Sequence, residues 1–142
     1  PMLQKTEMFA LIREMEGYVF NLETNGTLYD ERMRLFDSIA CSPKKQAIIY
    51  KMGCVANQSL HELSRLEQCI FKFVYENADD LWWEEIQKAV GIDPSRIYIM
   101  PEGATREEQL KLMPEVMEYC KEKGFKFSPR LHVLAFNNRR GV

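Results

Sequence analysis

The apolar positions of this chain switch between helical and strand spacing along its length. Met8, Leu11, Ile12 and Met15 follow an i, i+3, i+4, i+7 pattern, which predicts an amphipathic helix over roughly Lys5 to Glu16 that Gly17 ends. Tyr18, Val19, Phe20 and Leu22 then read as a strand, with the polar stretch Glu23 to Thr27 at its carboxyl end. Leu28 to Met33 reads as a short helical or irregular piece that carries Asp30, Glu31, Arg32 and Arg34 outward. Phe36, Ser38, Ile39 and Ala40 form the next apolar run, broken by Ser42, Pro43, Lys44 and Lys45. Between Gln46 and Asn57 the pattern is mixed: Ile48, Ile49 and Tyr50 suit a strand, while Gly53 and Asn57 suit a loop-rich insertion. Ser59 and Glu62 stand at capping-box spacing, so a helix is predicted from Leu60 to about Gln68, followed by a strand over Cys69 to Tyr75.

The second half repeats the alternation. A helix is predicted from about Asp80 to Val90, with Leu81, Trp82, Ile86 and Ala89 or Val90 inward and Gly91 as its stop. From Arg96 to Glu107 a strand, a sharp loop and a helix start follow one another directly. Ile97, Tyr98 and Ile99 have the composition of a buried strand, and Pro101 and Gly103 end it in an exposed turn. Thr105 and Glu108 form a second capping-box spacing, opening a helix from Arg106 to Lys123 with Leu110, Met113, Met117 and Tyr119 to Cys120 as its apolar positions. Pro114 within it removes one hydrogen bond and is expected to kink the axis. Lys123 and Gly124 close this helix, and Phe125, Phe127 and the alternating run Leu131 to Phe136 read as strand pieces. Strands and helices thus alternate about five times with no hairpin signal joining neighbours, which predicts an α/β protein with a parallel sheet and outer helices.

At 142 residues and 46% hydrophobic content, one domain with a real core is the expectation. A net charge of −2 gives no excess of Lys and Arg to grip a phosphate backbone, so nucleic acid is not expected as a partner. Cys41, Cys54, Cys69 and Cys120 lie 13, 15 and 51 residues apart, which contains no tight pair or triplet for a metal or an iron–sulfur cluster. Free, mostly buried thiols in a reducing cytoplasm follow from that spacing. No apolar run approaches the length that spans a bilayer, so no membrane association is expected. Pro1 is not an initiator methionine and the helical pattern starts almost at once, so a preceding segment is expected.

Three polar loops recur at the carboxyl ends of strands: Glu23 to Thr27, Ser42 to Lys44, and Met100 to Gly103. In a parallel sheet such ends share one edge, where ligands bind. Carboxylates, hydroxyls, an amide and an ammonium suit a polar small molecule of mixed charge, such as a nucleoside joined to an amino acid. Glu23 and Asn25 can take ribose hydroxyls, Ser42 and Lys44 a carboxylate, and the backbone around Met100 an adenine edge. Each loop also has a plainer use: a strand-ending turn at Glu23 to Thr27, solvated charge at Lys44, and an ordinary αβ connection at Met100 to Gly103; His132, in the alternating run, reads equally as a hydrogen-bonded core residue. Trp82 and Trp83 read as packing or a subunit contact.

Leu22-Glu23-Thr24-Asn25-Gly26-Thr27, Ser42-Pro43-Lys44, Met100-Pro101-Glu102-Gly103 and Arg130-Leu131-His132-Val133, in this order and ending in Arg140-Gly141-Val142, resemble the C-terminal part of 7-carboxy-7-deazaguanine synthase, a radical S-adenosylmethionine enzyme family. The resemblance spans nearly the whole chain. It implies a partial β/α barrel, the C-terminal part of a single domain over residues 1–142, that works with a 4Fe-4S cluster, S-adenosylmethionine and magnesium. It further implies a cytoplasmic homodimer served by an electron donor such as flavodoxin. The implied reaction contracts 6-carboxy-5,6,7,8-tetrahydropterin to 7-carboxy-7-deazaguanine on the route to queuosine. By motif, Ser42, Pro43, Lys44, Met100, Pro101, Glu102 and Gly103 would contact S-adenosylmethionine, with Glu23, Thr24 and Asn25 beside its ribose. Arg130, His132 and Val142 would face the pterin. The family's cluster-binding cysteine triplet has no counterpart here, and Pro1 resembles the last residue of the Gly-Gly-Glu-Pro motif that holds the methionine amino group. These 142 residues alone are therefore expected to be inactive, and a different radical enzyme or a cluster-free interaction module of the same fold are the alternatives.

Overall fold

Alternating burial along the strands shows how this sequence makes a sheet. In the computed structural model, which describes residues 2–45 and 55–139, β1 (Asn21–Thr24), β2 (Ser38–Cys41), β3 (Cys69–Tyr75), β4 (Ile97–Pro101) and β5 (Lys126–Phe127) form one sheet. Its strands lie in the order β1-β2-β3-β4-β5 and all run parallel. Cys69, Phe71, Phe73 and Tyr75 of β3 and Ile97, Ile99 and Pro101 of β4 are buried, while the residues between them are half-buried. An order that follows the chain without reversal is that of a β/α-barrel wall, whereas a doubly wound sheet reverses direction. The expected parallel sheet with flanking helices is what the chain forms, and its strand order is consistent with the expected partial β/α barrel.

The chain divides into two compact units, Pro1–Phe71 and Lys72–Val142. The first holds α1 (Lys5–Glu14), β1, a 3-10 turn (Glu31–Leu35), β2, α2 (Val55–Ser64) and the start of β3. Its core is built from Phe9, Leu22, Met33, Phe36, Ile39, Leu60, Leu63 and Leu66. Phe9 meets the Phe36 ring edge-on at 6.1 Å, and the Arg32 guanidinium lies 4.5 Å from the Phe9 ring centre. Thr24 pairs with Cys41 in the parallel register, so the carboxyl ends of β1 and β2 finish level.

The second unit holds the rest of β3, α3 (Trp82–Val90), β4, α4 (Arg106–Lys123), β5 and α5 (Leu131–Phe136). Trp83, completely buried, packs among Phe73, Tyr75 and Tyr119. Its indole Nε1 donates to Tyr119 Oη at 3.1 Å, and that hydroxyl donates to Glu84 Oε1 at 2.9 Å. The Thr105–Glu108 capping box opens α4 as expected, and Gly124, at φ 71°, closes it.

Several elements differ from the expectations. Leu131–Phe136 is a helix, opened where Val133 N–H and Leu134 N–H donate to Arg130 O at 2.9 and 3.1 Å, and the alternating letters do not mark alternating burial. Of that run only Val133 is buried, while Leu131 is 71% exposed. Strand β1 starts at Asn21 rather than Tyr18; Tyr18 and Val19 are exposed. Helix α2 begins before Ser59 and ends at Ser64, so Ser59 is not a cap: it is buried and its hydroxyl faces Thr27 O at 3.5 Å. The buried face of α4 carries Gln109, Val116 and Cys120, whereas Leu110 and Met117 are exposed. On α3 the buried residues are Trp83, Ile86 and Val90. The readings at Pro1, at Ile48, Ile49, Tyr50, Gly53 and Cys54, and over Arg140 to Val142 lie outside the described residues.

Candidate functional site

The loop after β1 is shaped by its own side chains. Gly26 N–H donates to Thr24 Oγ1 at 3.2 Å, while Asn25 Oδ1 accepts from Thr27 N–H at 3.1 Å and from Thr27 Oγ1 at 2.8 Å. Such Asx-type turns fix a short polar loop without regular structure. Gly26, at φ 75°, is buried so tightly that an added Cβ would meet Leu60 Cδ2 at 2.6 Å and Cys41 Sγ at 2.8 Å. The loop after β2 is joined to it: Ser42 N–H donates to Thr24 O at 2.8 Å.

These two loops enclose one open hollow of about 700 Å³ lined by Glu23, Thr24, Asn25, Thr27, Ser42 and Lys44, with Met2, Leu3 and Leu28 as apolar walls. Five sequence-predicted residues, Glu23, Thr24, Asn25, Ser42 and Lys44, therefore come together. Pro43 is buried beside them in sequence rather than in the lining. The volume lies within the usual range for small-molecule sites, roughly 300–1,000 Å³. The apolar walls were not anticipated; Met2 and Leu3 precede the first helical repeat and gave no periodic signal.

The Met100–Gly103 loop belongs to the second unit. Glu102 N–H donates to Tyr75 O at 2.9 Å, which ties the loop to the end of β3. Glu108, from the first turn of α4, accepts from Ala104 N–H at 2.7 Å and Thr105 N–H at 3.0 Å, and these backbone donors hold its carboxyl below the usual range. A second hollow, about 420 Å³, is lined by Glu102, Gly103, Ala104, Glu108, Lys111 and Leu112. Arg130 sits at the start of α5 with its guanidinium NH1 donating to Gly103 O at 3.1 Å. His132 is exposed on α5, and Val142 lies outside the described residues. The residue that sequence reasoning missed is Gln109, completely buried on α4. Its signal was present: it stands seven residues before Val116 and eleven before Cys120, on the same helical stripe.

The donor set suits S-adenosylmethionine at the first hollow, since hydroxyls, an amide, a carboxylate and an ammonium stand beside apolar walls. It does not suit an iron–sulfur cluster or magnesium among the described residues. No three His, Cys, Asp or Glu side chains there gather around a point. Cys41, Cys69 and Cys120 are buried, and desolvation pushes the Cys41 thiol well up and the Cys120 thiol to about 11, which favours the protonated form over the thiolate that ligates metal.

A parallel sheet in chain order, with the polar loops after β1 and β2 lining a hollow, is the arrangement of a protein of the β/α-barrel kind. The chain is similar to the 7-carboxy-7-deazaguanine synthase of Pyrobaculum aerophilum, with 38% identity over 74 residues, covering 50% of this chain and 32% of that protein. It is also similar to the 7-carboxy-7-deazaguanine synthase of Rhodopirellula baltica, at 27% identity over 140 residues, covering 89% of this chain and 54% of that protein. The chain thus spans about half the length of the one relative and about a third of the other. No family model matches. The similarity read from the loop motifs and the similarity found along the chain carry the same name.

Proposed function

We infer that this chain is the S-adenosylmethionine-holding portion of a 7-carboxy-7-deazaguanine synthase that acts on 6-carboxy-5,6,7,8-tetrahydropterin. The observation that carries the reading is the hollow in which Glu23, Thr24 and Asn25 meet Ser42 and Lys44. In this reading Glu23 and Asn25 take the ribose hydroxyls. The Asn25 Oδ1 atom is already committed to Thr27, so its amide nitrogen is the group turned to the ligand. Ser42 and Lys44 bind the methionine carboxylate, the ammonium supplying charge and the hydroxyl direction. For the second unit the motif resemblance alone supports the reading: the loop at Met100, Pro101, Glu102 and Gly103 would contact S-adenosylmethionine, and Arg130, His132 and Val142 the pterin. Bound S-adenosylmethionine supplies the chemistry that initiates ring contraction; the residues described here hold and orient it. The reading carries with it magnesium, a homodimer, a cytoplasmic location and an electron donor such as flavodoxin. Among the described residues no helix is long and apolar enough to cross a membrane.

The test is to produce the protein from the complete reading frame that encodes this chain, reconstitute it anaerobically, and supply S-adenosylmethionine, reductant and the carboxytetrahydropterin. Formation of 7-carboxy-7-deazaguanine, lost in Lys44→Ala, is the expected result. Cleavage of S-adenosylmethionine without the ring-contracted product would assign a different radical reaction, and a colourless protein that binds neither compound would assign a cluster-free interaction module.

A further inference from the structure

Gln109 is the polar side chain of the α4 inner face, with no exposed surface, and every polar atom of its amide is engaged. Nε2 donates to Pro101 O at 2.7 Å and to Gly103 O at 3.1 Å, and Oε1 accepts from Arg130 N–H at 3.4 Å. Gly103 O accepts a second bond, from Arg130 NH1 at 3.1 Å. Two carbonyls of one short loop are therefore held by a buried amide, and one of them, Gly103 O, also by a guanidinium. The loop is confined at Gly103 as well. Gly103 adopts φ 139°, and an added Cβ would lie 2.7 Å from Glu108 Cβ and 3.0 Å from Gln109 N. A buried amide at a helix–strand junction is costly unless all its bonds are made, and an apolar residue would fill the same stripe. Its presence is explained by what it holds.

We propose that Gln109, with Arg130 as a second clamp, is a positioning residue that holds the Met100–Gly103 loop in one conformation before a ligand arrives. The proposal rests on the reading that this loop contacts S-adenosylmethionine. Pre-ordering a loop removes the entropy that binding would otherwise have to overcome, so the clamp acts on affinity without touching the ligand. Arg130 thereby has a role in the loop itself, besides any contact with the pterin.

The test is amide hydrogen exchange and S-adenosylmethionine titration on the full protein and on Gln109→Met and Arg130→Met. Without ligand, Gln109→Met is expected to speed exchange at Glu102, Ala104 and Thr105 by about tenfold, with Ile97 and Ile99 unchanged. Affinity for S-adenosylmethionine should fall by a similar factor, about tenfold. Arg130→Met removes one bond from a half-buried residue and should give a smaller acceleration, about threefold, at the same amides. It also decides the matter if Gln109→Met does not fold. A general loss of stability would speed exchange throughout the second unit, which would overturn the proposal, as would loop amides unchanged in both variants. Loosened loop amides with unaltered affinity would overturn it too. If the unaltered protein binds no S-adenosylmethionine, the reading of the loop as a ligand contact falls, and exchange alone decides whether the clamp exists.

Discussion

Gly26 is the position where the first loop meets the core, and its buried left-handed backbone leaves room for no side chain. Gly26→Ala places a methyl against Leu60 and Cys41 and strains φ, so a loss of about 1–3 kcal/mol in urea unfolding is expected. Because the same residue joins Asn25 to Thr27, S-adenosylmethionine binding should weaken with it. Asp30 makes a different statement about single residues. Arg32 donates to both its carboxylate oxygens at 2.8 Å and Lys5 Nζ lies 3.2 Å away, and these hold the Asp30 carboxyl well below the usual carboxylate range. A depressed folded pKa means the unfolded chain takes up the proton first, near its value of about 3.9. The stabilisation is therefore full above about pH 5 and is lost as pH falls below about 4. Asp30→Asn keeps the acceptor for Arg32 N–H, so its stability deficit should be present at pH 6 and shrink towards pH 3. A deficit that did not change with pH would contradict the ion-pair account. At this scale the turn letters Asn25, Gly26, Pro101 and Gly103 were legible in the sequence because each encodes a local backbone requirement. Gln109 was not, since its partners Pro101, Gly103 and Arg130 come from different elements.

Among elements, α4 shows what the sequence can and cannot carry. Its two ends were legible because caps are local: Thr105 with Glu108 at the start, Gly124 at the stop. Thr105→Ala removes the acceptor for Glu108 N–H, and a loss of about 1 kcal/mol in chemical denaturation is expected. Its inner face was misread because Leu110 and Met117 are apolar letters on the exposed side, and burial depends on where the sheet lies. Pro114 stands within a helix that runs unbroken from Arg106 to Lys123. The same limit explains α5, whose alternating residues look like a strand although one, Val133, is buried. Trp83 read correctly as a packing residue, and its indole also feeds the Tyr119–Glu84–Lys123 chain, with Lys123 Nζ 3.2 Å from Glu84. Trp83→Phe keeps most of the ring but leaves Tyr119 without that donor; about 1–3 kcal/mol of stability should be lost in urea unfolding.

For the molecule, the alternation of strands and helices without hairpins was enough to foretell a parallel sheet, because a helical crossover returns the chain to the starting end of the sheet, where the next strand pairs parallel to the last. The barrel-like order was carried by the family resemblance, since strand order depends on contacts far apart in sequence. The first hollow was legible as chemistry, through Glu23, Asn25, Ser42 and Lys44, and its apolar walls at Met2, Leu3 and Leu28 were not. The central claim is that this hollow holds S-adenosylmethionine. An NMR titration of the chain with S-adenosylmethionine tests it most directly: saturable shifts of the amides of Glu23, Thr24, Asn25, Ser42 and Lys44, abolished in Lys44→Ala, are predicted. Absence of saturable shifts at these five residues, or shifts that persist unchanged in Lys44→Ala, would contradict it.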